Sequence, residues 1–102
     1  MPSVPQARAK LASIIQLARD DRVAVLKLIH GYGSTGAGGD LRIALQATLR
    51  QMANRDEIQE CIYGENWRTS DDCAWKLLNR LPSLKRDRDL GGRNKGITIV
   101  VL

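Results

Sequence analysis

The sequence predicts a two-layer α/β fold, with helices packed on a small sheet of about three to four strands. Three observations carry that reading. Two long stretches, residues 3–19 and 40–54, repeat apolar side chains at helical spacing. Two short runs, Val23–Ile29 and Gly96–Leu102, are apolar almost throughout, as strands covered on both faces must be. The two kinds of segment also alternate along a chain of 102 residues, the length of one domain spanning residues 1–102.

The first helix is expected to begin at Ser3, where Gln6 completes a capping box and Pro5 is tolerated in the first turn. Ala7, Leu11, Ile14, Ile15 and Ala18 form its stripe, and Asp20-Asp21 ends it. The strand Val23–Ile29 follows, broken in its apolar character only by Lys27. His30 to Gly39 holds five of the nine glycines and reads as a loop. Asp40 is placed to cap a second helix whose Leu41, Ala44, Leu45, Leu49 and Met52 share a face. Ile58–Tyr63 reads as a strand and Gly64–Arg68 as a loop. A third helix, capped by Thr69 or Ser70, follows with Ala74, Leu77, Leu78 and Leu81 buried and Pro82 as its stop. A polar, basic connection, 82–95, leads to the final strand.

A chain that opens on a helix leaves a sheet edge to account for. An opening strand upstream of Met1, a sheet of three strands that stands alone, and an edge completed by a protein partner or a second copy all satisfy that requirement.

No apolar run approaches the roughly 18 residues of a membrane span, and no export signal is evident, so a cytoplasmic protein without membrane attachment is expected. Cys61 and Cys73 then have no reason to pair, and with one histidine there is no zinc ligand set. The net charge of +5 is unevenly spread. Residues 1–75 balance nine cations against nine acids. Residues 76–95 hold Lys76, Arg80, Lys85, Arg86, Arg88, Arg93 and Lys95 against only Asp87 and Asp89. Basic residues clustered beside glycines make a phosphate-binding footprint, and the competing reading is a solvated surface.

A glycine-rich turn between a buried strand and a helix N-terminus suits an anion, because backbone N–H groups and the helix dipole converge there. Gly33 to Gly38 has the first spacing of a Walker loop, but Gly39-Asp40 stands where Lys-Ser/Thr is required, and that reading fails. Gly31-Tyr-Gly33-Ser-Thr-Gly36 fits a dinucleotide fingerprint, yet the chain is short for two mononucleotide halves.

The run Leu26-Lys-Leu-Ile-His30-Gly31-Tyr-Gly33, followed by Gly38-Gly-Asp-Leu41-Arg42 and an amphipathic helix, resembles the second signature of the Smr (small MutS-related) domain family. Gly91-Gly92-Arg-Asn-Lys-Gly96-Ile-Thr-Ile-Val-Val-Leu102 is similar to the glycine-containing strand that closes that domain. Together they bracket Val23 to Leu102. The resemblance implies an α/β sandwich on a mixed sheet whose last strand is antiparallel, which returns the basic 86–95 loop to the edge carrying His30. It implies binding of DNA or RNA, with nicking or RNA-cleaving endonuclease activity in several members. His30, Gly31 and Gly33 would line the site, Arg42 would face phosphate, and Gly91 and Gly92 would form a neighbouring loop. The family's first signature, an Asp-Leu-His-Gly turn after an opening strand, is absent here. That turn supplies groups associated with cleavage in many members.

The candidate site on this reading has His30 as the catalytic general base or as a hydrogen-bond donor to phosphate. Gly31, Tyr32, Gly33, Ser34, Thr35, Gly36 and Gly38 form the loop, Arg42 stands in the first helical turn, and Arg86, Arg88, Gly91, Gly92, Arg93 and Lys95 complete it. Tyr32 and Trp67 are the residues able to stack on bases if exposed, whereas Trp75 is expected to pack. A divalent metal enters only if the chain cleaves phosphodiesters. The alternative is a small-anion binder or protein-interaction module without catalysis, with His30 capping the strand end.

Overall fold

A computed structural model describes residues 4–31 and 36–102 of the chain, and the side chains of all of these but 36–40. Helix α1 spans Val4–Asp20 and buries Leu11, Ile15 and Ala18. The expected cap, Ser3, lies outside the described residues. The helix ends with Arg22 in the left-handed region at φ 58°. There the Val23 N–H reaches Ala18 O at 2.8 Å and the Arg22 N–H reaches Arg19 O at 3.0 Å. Those two bonds satisfy carbonyls that the helix itself leaves open.

Strand β1, Val25–Ile29, leads towards helix α2, Gly36–Asn54. The helix starts four residues before Asp40, so Asp40 is not its cap, and Gly36 and Gly38 are helical rather than part of a loop. Glycine is a weak helix former and reads as a break. Once the Leu41–Met52 face is packed, however, each added residue costs no new nucleation. Asp56 closes α2 as Arg22 closes α1, at φ 59°, with the Glu57 N–H on Met52 O at 2.9 Å.

Strand β2, Glu60–Tyr63, is followed by a 3-10 turn over Gly64–Asn66 and helix α3, Asp72–Arg80. Thr69 and Ser70 do not cap α3. Asp71 does, its Oδ2 accepting the Ala74 N–H at 3.0 Å. Pro82 opens a short 3-10 helix, Pro82–Arg86, before the final strand β3, Ile97–Val101.

The sheet has the order β1-β3-β2. β3 lies between the other two and is antiparallel to both, with Ile29 opposite Ile97 and Tyr63 opposite Thr98. The expectation of helices packed on a small sheet with an antiparallel last strand is met, but the sheet is antiparallel at both pairings rather than mixed, because β3 inserts between the two parallel strands. β1 and β2 run parallel to each other without touching.

Side chains alternate along each strand, and two cores result. Val100, Cys61, Leu26 and Leu28 face α1 and α2 with Leu11, Ile15, Leu45 and Leu49. Ile97, Ile99, Val101 and Ile62 face α3 with Trp67, Ala74, Leu77 and Leu78. The α3 side is also closed by Leu81, Leu84 and Leu90 from the basic connection, so helices and turns cover both faces of the sheet.

Among the described residues no helix is long and apolar enough to cross a membrane.

Candidate nucleic-acid interface

The register of β1 on β3 decides where the site residues meet. Because Ile29 pairs with Ile97, the His30–Gly31 exit from β1 and the Asn94–Gly96 entry to β3 lie side by side. Gly96 O accepts the N–H groups of both His30, at 2.9 Å, and Gly31, at 3.0 Å. A Cβ on Gly96 would stand 3.3 Å from Gly31 Cα. The Gly31 amide, expected to face a ligand, is therefore directed at protein. Tyr32, Gly33, Ser34 and Thr35 lie outside the described residues.

His30 is a strut between two strands. Its Nδ1 stands 3.0 Å from Gly31 O, and a carbonyl only accepts, so Nδ1 carries a proton. In the neutral ring Nε2 then accepts from the Thr98 hydroxyl at 2.9 Å. Thr98 is fully buried in β3. Both ring nitrogens are thus engaged within the fold, an arrangement suited to holding the loop's entry.

On the α3 side, Lys27 projects from β1 towards the basic connection. Its Nζ lies 2.6 Å from Asp87 Oδ1 and 2.6 Å from Asp89 Oδ2. Burial alone would lower the Lys27 pKa, but the hydrogen bonds to Asp87 and Asp89 outweigh it and hold the group above its usual range. Asp89 is held below the usual carboxylate range, first by its bond to Lys27 and then by its bond from Asn94. The Trp67 indole N–H donates to Asp87 Oδ2 at 2.9 Å, and Trp67 O accepts the Gly91 N–H at 2.8 Å. Asn94 donates from Nδ2 to Asp89 Oδ1 and accepts the Gly96 N–H on Oδ1 at 2.8 Å.

These bonds sort the connection into two sides. Asp87 and Asp89 turn inward onto Lys27. Arg86, Arg88, Arg93 and Lys95 are exposed, and none is in an ion pair with a described residue. The exposed charges of the 86–95 segment are thereby all cationic. Gly91 and Gly92 form the turn between Asp89 and Arg93, with Gly91 at φ 78° and Arg93 at φ 54°. Arg42 does not join this group. It belongs to α2, on the opposite face of the sheet, where its Nε is buried and has no partner among the described residues.

Sequence reasoning reversed the two tryptophans. Trp67 is 1% exposed and unavailable for stacking, whereas Trp75 is 45% exposed with Lys85 Nζ 5.7 Å from its ring. Position 75 falls off the stripe formed by Ala74, Leu77 and Leu78. Sequence reasoning also passed over Lys27, Asn94 and Trp67 as the residues that position the connection. The one available signal was a single charge in an otherwise apolar strand, which demands a partner when half-buried. Among the described residues, no group of three or more His, Cys, Asp or Glu side chains converges as a metal site.

No protein-family model, curated protein or solved structure matches this chain.

Proposed function

We propose that this chain is a nucleic-acid-binding module of Smr type, holding phosphates along the outer surface of the 86–95 segment. The observation that carries the reading is the sorting of charge. Asp87 and Asp89 turn onto Lys27, which offsets one of their two charges, while Arg86, Arg88, Arg93 and Lys95 face solvent on the segment that enters β3 beside His30–Gly31. A phosphate backbone approaching this surface meets four cations against one uncompensated carboxylate charge set behind them, and release of its counterions drives association. The Smr-like signatures around His30 and through Gly91–Leu102 support the same reading, since they meet at this end of the sheet.

The test is fluorescence anisotropy with labelled single- and double-stranded DNA and RNA, across a salt series. Replacing Arg88, Arg93 and Lys95 together with Ala should weaken binding to every oligonucleotide and flatten the salt slope by roughly 2 to 3 for duplex DNA. Unchanged affinity and slope would show that this segment is only a solvated surface.

A further inference from the structure

We propose that the outer edge of β2 is a strand-addition site for an extended acidic peptide, and that the Glu60 carboxylate occupies the place of the incoming carbonyl until the peptide arrives. Among the described residues β2 is an edge strand, paired on one side only. In an antiparallel ladder, alternate residues turn both backbone polar groups away from the neighbouring strand. The Cys61 N–H is such a group. It does not reach β3 but donates to Glu60 Oε1 at 3.2 Å. Tyr63, two residues on, presents its backbone to the same side.

The Glu60 carboxylate sits across this edge, between the two helical layers. Arg50 of α2 approaches its Oε1 at 3.6 Å, and the Cys73 thiol of α3 donates to its Oε2 at 3.8 Å. Burial, then the carboxylates of Glu60 and Asp71, keep that thiol protonated by raising its pKa, so it serves as a neutral donor. A side-chain carboxylate thus covers an outward amide that a sheet edge otherwise offers to another strand.

The surface beside this edge has the shape and charge for one kind of occupant. Two adjoining depressions of about 210 Å³ and about 100 Å³ share Glu60, Ile62 and Cys73 and run along the strand. Neither approaches the roughly 300 Å³ at which small-molecule pockets begin, whereas each can take side chains of a peptide laid along the edge. The floor of the larger one is apolar, with Ile62, Leu77 and Val101, which suits a peptide side chain better than a phosphate. The rim sets Arg50 on one wall and Lys76 and Arg80 on the other against Asp71 and the Glu60 carboxylate that the peptide displaces. With Glu60 displaced, three cations stand against Asp71 alone, which favours an acidic strand over a basic one.

The experiment titrates the ¹⁵N-labelled full chain with end-capped peptides of about ten residues that alternate Val with Glu, or Val with Lys. The Val-Glu peptide should shift the Cys61 and Tyr63 amides and protect them from exchange. Glu60→Ala should bind it tighter by a factor of about ten, equivalent to about 1.4 kcal/mol. Glu60→Gln, which keeps the shape, should change affinity in the same direction by less. Lys76→Glu with Arg80→Glu should abolish the effect. Equal binding of the Val-Lys peptide, shifts confined to other amides, displacement of the peptide by single-stranded RNA, or self-association through β2 in sedimentation would each overturn the proposal.

Discussion

The Trp67 indole donates to Asp87 across 2.9 Å, although twenty residues separate them in sequence. This bond ties the buried tryptophan of the α3-side core to the acid that receives Lys27, so the core and the basic connection are set by one contact. Trp67→Phe keeps the ring but removes the donor, and should cost about 1–2 kcal/mol in urea unfolding. Trp67→Ala also opens a cavity and should cost about 3–5 kcal/mol. A negligible loss in Trp67→Phe would mean that the indole N–H contributes nothing.

The Lys27–Asp89 pair sets the pH limits of stability. The folded protein holds the Asp89 carboxyl below its ordinary range, through Lys27 first and Asn94 second. On acidification the unfolded chain therefore takes up this proton first. The contribution is present above the ordinary carboxylate pKa of about 3.9 and is lost as pH falls through the lower folded value. Lys27 works in the opposite sense: its contribution is complete below its ordinary pKa of about 10.4 and disappears as pH rises through the raised folded value. Urea midpoints measured against pH should show both limbs. Asp89→Asn should flatten the acid limb, and an unaltered acid limb would refute the assignment.

Arg93 should trade stability for binding. Its left-handed backbone, φ 54°, is strained for a residue with a Cβ. Arg93→Gly should raise stability by up to about 1 kcal/mol while weakening nucleic-acid binding. Arg22, at φ 58° beyond α1, provides the control: Arg22→Gly should stabilise comparably and leave binding unchanged. Thermal melts with anisotropy on the same preparations decide it.

Gly64 should tolerate no side chain. A Cβ there would lie 1.8 Å from Asn94 O and 2.7 Å from Ile97 O, both backbone atoms that cannot swing aside. Gly64→Ala should cost about 3 kcal/mol or more and displace the entry to β3. Circular dichroism during urea titration would reveal this, and a loss below about 1 kcal/mol would show that the crossing relaxes.

Much of the fold was legible because apolar periodicity survives into the structure. Leu11, Ile15, Leu45, Leu49, Leu77 and Leu78 are all buried on the faces that their spacing indicates. The element ends were less legible for local reasons. Thr69, Ser70, Asp71 and Asp72 are four successive residues able to cap, and only packing selects Asp71. Gly36 to Gly39 read as a loop because intrinsic propensity outweighs context in a single sequence. For the candidate site, the surplus of cations in 76–95 was visible, but its sorting was not. Lys27 meets Asp89 across 62 positions, a pairing that no local pattern announces.

β3 follows β1 and β2 in sequence, yet among the described residues it is the only strand that either of the others touches. A nascent chain therefore carries β1 and β2 as two orphan ribbons until Ile97–Val101 has emerged. Neither hairpin nor half-sheet can form in advance, so assembly must be a single late event with contacts distant in sequence, the pattern associated with slow folding. A ribosome that stalls before Ile97 would release a polypeptide with both apolar ribbons uncovered, a ready substrate for chaperones and proteases.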